Sequence, residues 1–151
     1  MQSTASIRID LPIADVFRFV TTIENMPRWM MGVKSARLVS AEMAEGAHFV
    51  LDYIRGWRPY EMELEVVEFQ PPTLLAIRTA KGQFAFEGRM ELATVDGETE
   101  VTNIIEAGPD SLSSSIASVL LGPILSRSFA KRLLAELEGL RRAIRGESLP
   151  Q

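Results

Sequence analysis

The chain contains no cysteine, which excludes disulfides, thiolate metal sites and cysteine nucleophiles together. It has one histidine, His48, so a multi-histidine zinc site cannot be assembled. No apolar run reaches the length needed to span a bilayer. The opening Met1-Gln2-Ser3-Thr4 does not read as a signal peptide, and the cytoplasm is the expected compartment. A basic excess is also missing: 16 Lys and Arg stand against 20 Asp and Glu, giving a net charge of −4 and a pI near 5.1. That balance argues against a general nucleic-acid surface. Gly32, Gly46 and Gly82 are isolated, so no phosphate-cradling loop is visible. There is no internal repeat, low-complexity segment or linker.

What remains is ordinary globular material. The 151 residues are 46% hydrophobic and 24% charged, enough for one domain with a real core. That domain is expected over 1–147, with 148–151 as a short tail.

The last quarter reads as a long helix from Asp110 to Arg145. Asp110 or Ser111 is a candidate N-cap after Pro109. Leu112, Ile116, Val119, Leu120, Ile124, Ala130, Leu133, Leu137, Leu140 and Ile144 recur at helical spacing. Arg141, Arg142 and Arg145 suit the negative end of the helix dipole, and Gly146 is a stop. Arg127, Lys131, Arg132, Glu136 and Glu138 are expected in solvent. Gly122-Pro123 predicts a kink or short break, since proline removes a donor and crowds the preceding turn. The uncharged segment before it, 112–121, is expected to act as a moving pocket wall.

Ahead of this helix the pattern is mostly strand. Thr4 to Leu11 alternates, then Pro12 opens a short helix through Val20, and Pro27 to Met31 reads as a second helical turn ending at Gly32. Strands follow at Val33–Val39, His48–Ile54, Tyr60–Val66, Leu74–Thr79, Gln83–Leu92 and Thr99–Ala107. Asp96-Gly97 is the strongest hairpin signal. Glu61, Glu63 and Glu65 alternate with Tyr60, Met62, Leu64 and Val66, so one face of the sheet is wet and the other dry. Packing requires the strands to supply a surface for the long helix.

In this order and spacing the chain resembles the helix-grip superfamily of START, birch-pollen-allergen and polyketide-cyclase-like proteins, called SRPBCC. The carrying residues are Pro12-Ile-Ala-Asp-Val-Phe-Arg-Phe-Val20, Pro27-Arg28-Trp29 before Gly32-Val33, Gly46 before a strand, Val66 to Pro72 before Leu75, and the terminal Leu/Arg/Glu helix. The resemblance implies an α+β helix-grip fold. In it a curved antiparallel sheet of about seven strands, in the order β-α-α-β6-α, wraps around the C-terminal helix. It also implies an internal pocket for a hydrophobic small molecule.

Candidate ligand-binding residues are then those on the dry face, with Trp29 either at the expected rim or, as preferred, packed under the first strand: Phe49, Leu51, Tyr53, Tyr60, Met62, Leu64, Ile77, Phe84, Phe86, Met90, Asn103 and Ile105. Ile116 and Leu120 come from the helix. Plain core packing explains each apolar residue equally well. Gly88 is expected to leave room on the dry face or to mark a bulge. Asn103 is the notable polar member, because a buried amide needs a ligand or backbone partner. His48 is placed on the wet face beside Asp52.

Three readings follow. The first is a carrier of a hydrophobic ligand such as a lipid, polyketide or aromatic compound. The second is a metal-free cyclase or dehydratase in which Tyr53, Tyr60, Asn103 or an inward Arg55 or Arg78 polarises a carbonyl. The third is a protein- or membrane-interaction module using an apolar patch around Trp29 and Met30. The carrier ranks first because no nucleophile, base or metal set is recognisable. No catalytic residue, cofactor or nucleic-acid partner is assigned, and the chain is expected to be a monomer or homodimer.

Overall fold

A computed structural model describes residues 2–55, 57–82, 85–107 and 115–146, and within its last helix side chains from residue 127 onward. Strand β1 (Gln2–Ile9) leads into helix α1 (Ile13–Thr21) and a 3-10 helix (Ile23–Arg28). Strands β2 (Val33–Leu38), β3 (His48–Arg55), β4 (Arg58–Gln70), β5 (Leu74–Lys81), β6 (Phe86–Val95) and β7 (Glu98–Ala107) follow. Helix α2 (Ser115–Ile144) closes the described chain. The seven strands form one antiparallel sheet in the order β1-β7-β6-β5-β4-β3-β2, curled into a half-barrel. This is the α+β helix-grip fold expected from the sequence.

Period-two alternation fixes which side chains face inward. In β1 burial switches at every residue, with Ser3, Ala5, Ile7 and Ile9 inside. The β6–β7 hairpin turns at Asp96-Gly97, both with positive φ (51° and 80°), as a tight two-residue turn demands. The second short helix begins earlier than expected. Residues 23–28 are helical, and Pro27 lies inside the 3-10 turn, where i to i+3 bonding loses less to its missing donor.

Helix α2 runs without interruption from Ser115 to Ile144, so of the kink or short break expected at Gly122-Pro123 the break is absent. The expected cap at Asp110 or Ser111 lies outside the described residues, as do the side chains of the proposed wall and the tail 148–151. The C-terminal half of α2 buries Leu133, Leu137, Leu140 and Ala143 in the same cluster as Ala5, Ile7, Met26 and Trp29. Each buried leucine contributes about 1.5–3 kcal/mol of transfer free energy. Glu136, expected in solvent, lies in this stripe and is only 7% exposed.

Candidate functional site

Cross-strand pairing arranges the inner face in rows. One runs Phe69, Leu75, Met90, Asn103, Ala5 across five strands, and the next runs Val66, Ile77, Gly88, Ile105, Ser3. Toward β2, Phe49 pairs with Leu64, Leu51 with Met62, and Tyr53 with Tyr60. The two tyrosine rings lie 5.5 Å apart between centroids.

Burial divides these residues. Phe49 and Leu64 are fully buried, and Leu51, Met62 and Met90 nearly so. Tyr53, Tyr60, Ile77, Phe86 and Ile105 stay half-buried, and all lie toward the end of the sheet where β1 and β6 begin and β7 finishes. Among these candidates, burial is thus deepest along the middle of the inner face and shallower toward that end. Trp29 is buried among core residues, not at a rim, and its indole Nε1 has no hydrogen-bond partner among the described residues. Phe84 and the side chains of Ile116 and Leu120 lie outside the described residues.

Asn103 is 8% exposed, between Ala5 and Met90 on neighbouring strands. Its amide is not among the fully buried groups left without a partner among the described residues, which are Trp29 Nε1 and Arg142 Nε; the more deeply buried Thr99 donates through Oγ1 to the Leu11 carbonyl at 2.7 Å.

Gly88 does not leave room. A Cβ there would meet Ile77 Cγ1 and Ile105 Cδ1 at 3.2 Å each, so these isoleucines already occupy the gap. Nor does it mark a bulge, since β6 pairs with β5 and β7 in unbroken register.

Sequence reasoning missed Glu136. Its carboxylate Oε2 accepts the Met31 backbone N–H at 2.8 Å, while Arg132 donates to the Met31 carbonyl at 3.4 Å. Burial pushes the Glu136 carboxyl above the usual carboxylate range, outweighing the lowering effects of the Met31 bond and the Arg132 charge. The signal was present in the spacing: residue 136 stands three after Leu133 and four before Leu140, on the stripe that faces the core.

His48 sits on the outer face, and its partners are Glu63 and Glu65, at 3.0 and 3.3 Å, while Asp52 accepts from Ser35 at 2.8 Å. Arg78 points outward to Glu65 at 2.8 Å and cannot polarise an interior carbonyl. The side chain of Arg55 is outside the described residues. Among the described residues no group of His, Asp or Glu is arranged to hold a metal, and no helix is long and apolar enough to cross a membrane.

Known proteins of this shape place the fold in context. TTHA0849 from Thermus thermophilus is 18% identical, with a TM-score of 0.78 over 97% of this chain and 98% of that one. A START superfamily protein from Mycobacterium smegmatis is 13% identical, with a TM-score of 0.75 over 96% and 97%. The two-domain ARO/CYC protein StfQ of the steffimycin biosynthetic pathway is 9% identical; the match has a TM-score of 0.74 and covers 96% of this chain and 50% of that one. Among proteins of curated function, none matches in sequence. Residues 1–145 match the profile of one family, and by that match the chain belongs to the polyketide cyclase / dehydrase and lipid transport family.

Proposed function

We propose that this protein binds a hydrophobic small molecule between the inner face of the sheet and helix α2. The observation that carries the reading is Asn103: an amide only 8% exposed on an inner face of Ile, Leu, Met and Phe. A ligand carbonyl or hydroxyl at that point would hydrogen-bond the amide, while apolar surface on the ligand meets Ile77, Phe86 and Ile105. The half-buried Tyr53 and Tyr60 stand on the same face and supply an amphipathic approach. Family membership supports the reading at the level of ligand class: polyketide-like and lipid molecules share an extended apolar body with a few oxygens.

A catalytic reading draws on Glu136, whose raised pKa would keep a proton available for a cyclase or dehydratase step. The carboxylate is already committed to the Met31 backbone, however, and that tie explains its burial without chemistry. Carriage is therefore preferred.

Native mass spectrometry of the purified protein, followed by extraction under denaturing conditions, tests this. The expected result is a bound small molecule, together with saturable uptake of the probe anilinonaphthalene sulfonate. Asn103→Leu should retain probe uptake but lose the oxygenated compounds that co-purify with the wild type. A wild-type protein that carries nothing and takes up no probe would sink the reading.

A further inference from the structure

The end of the sheet at which β2 starts and β3 meets β4 has a surface the ligand reading does not use. Trp57, at the tip of the β3–β4 hairpin, is 84% exposed, Met31 is 48% and Ile54 is 37%. They are neighbours by backbone geometry: Ile54 N–H donates to the Gly32 carbonyl at 2.8 Å, and Arg55 pairs with Arg58 across the hairpin. The Arg58 guanidinium lies over the Trp57 ring, 5.3 Å from its centroid.

The exposed charges nearest Met31 and Trp57 are cationic: Lys34 and Arg58 are exposed here, and Arg132 reaches in to the Met31 carbonyl. The described residues of 31–34, 53–60 and 79–86 include no Asp or Glu. Of the nearby acids, Glu136 is buried against the Met31 N–H, Asp52 and Glu61 stand opposite each other one step inward along the strands, and Glu63 stands opposite Lys81. In a chain of net charge −4, a cationic end implies a correspondingly acidic remainder.

We propose that this end docks on an anionic lipid membrane, with Trp57, Met31 and Ile54 entering the headgroup region and the surrounding cations contacting lipid phosphates. Exposed apolar side chains set singly among cations suit a fluid interface, which requires no matching shape. Tryptophan favours the headgroup level, where one part of the ring is apolar and its N–H is hydrated. A guanidinium stacked on that ring carries positive charge to the same depth. The acidic remainder would be repelled by the same surface and so orients the molecule. This docking stands apart from the ligand reading, because it is measured with no ligand present.

Co-sedimentation with large unilamellar vesicles tests it. The wild type should bind vesicles of three parts phosphatidylcholine to one part phosphatidylglycerol, not bind phosphatidylcholine alone, and release as salt is raised. The Trp57 emission should shift to the blue on binding. Trp57→Ala, and separately Arg58→Glu, should each weaken partitioning at least about tenfold, with thermal unfolding unchanged. Equal binding to both vesicle types, or variants that bind as the wild type does, would overturn the proposal. So would a wild-type dimer in sedimentation velocity that Trp57→Ala dissolves, since the rim would then be covered by a second copy.

Discussion

The backbone N–H of Met31 donates to the buried carboxylate of Glu136, 2.8 Å away and 105 positions later in the chain. This bond fastens the turn before β2 to the middle of the stripe by which α2 grips the core. Arg132, one helical turn earlier, holds the carbonyl of the same residue, so both polar groups of Met31 are satisfied from α2. Arg28 adds a third tie from the same region, donating to the Ala143 carbonyl at 3.1 Å. The loop before β2 is thus positioned by the terminal helix.

Removing the acceptor should loosen that loop. Glu136→Ala leaves the Met31 N–H without its partner and is expected to cost about 1–3 kcal/mol, read as a lower urea midpoint. Arg132→Ala, at an exposed site, should cost much less. Similar losses in the two variants would show that the Met31 bond has no special weight.

The same carboxyl makes stability depend on pH. Its pKa is raised by burial, so the folded chain holds this proton more tightly than the unfolded chain does. Its contribution is therefore fully present below the usual carboxylate range and is lost as pH rises from there through the raised folded value. Glu136→Gln keeps an acceptor for Met31 but cannot titrate. The Tm of this variant should match the wild type in acid and pull ahead as pH rises; parallel Tm curves would refute the assignment.

Gly88 gives a packing test. A methyl group there meets Ile77 and Ile105 at 3.2 Å, both of them side-chain atoms that can shift slightly. Gly88→Ala should therefore be tolerated, while Gly88→Val should cost about 1–3 kcal/mol through overpacking. Chemical denaturation of both variants checks this. A Gly88→Val protein as stable as the wild type would mean that the isoleucines leave usable space.

The fold was legible in the sequence because its strands have one wet and one dry face, and period two states that directly: Glu61, Glu63 and Glu65 against Met62, Leu64 and Val66. The hairpin at Asp96-Gly97 was equally open, since only certain residues accept its positive φ. The polar exceptions were harder to place. Glu136 was assigned to solvent on residue type, although its spacing from Leu133 and Leu140 put it on the buried stripe. His48 could be put on the outer face by alternation, but its partners sit on the neighbouring strand, and pairing register is a tertiary fact. Gly88 misled because the absence of a side chain says nothing about whether neighbours fill the gap. Proline at 123 did not end α2, which is helical on both sides of it. Asn103 was placed on the inner face correctly by alternation alone.

The turn at Asp96-Gly97 should be sensitive on one side only. Gly97 has φ of 80°, so Gly97→Ala forces a Cβ into a left-handed conformation at a cost of about 1 kcal/mol. Space is not the obstacle, since nothing lies within 4 Å of the position a Cβ would take. Asp96→Asn retains the tolerance of positive φ and loses only an exposed ion pair with Arg8, so it should be close to neutral. Thermal melts that rank the two substitutions the other way would contradict this account.

Thr99 gives the last test, because it isolates one hydrogen bond in the wall of the core. The residue is 1% exposed, pairs with Ile9 and Thr94 on the flanking strands, and donates through Oγ1 to the Leu11 carbonyl at 2.7 Å. That carbonyl belongs to the link between β1 and α1, where Pro12 fixes the entry of the helix. Thr99→Val keeps the volume and the β-branch but removes the donor, leaving the carbonyl to find water or go unpaired. Thr99→Ser keeps the donor and gives up one methyl. If the bond holds the link, valine should cost about 1–2 kcal/mol and speed amide exchange in the first turn of α1, while serine should cost less and leave that exchange unchanged. If serine proves the worse of the two and valine leaves α1 protected, Thr99 acts through its methyl group, and the orientation of α1 does not depend on its hydroxyl.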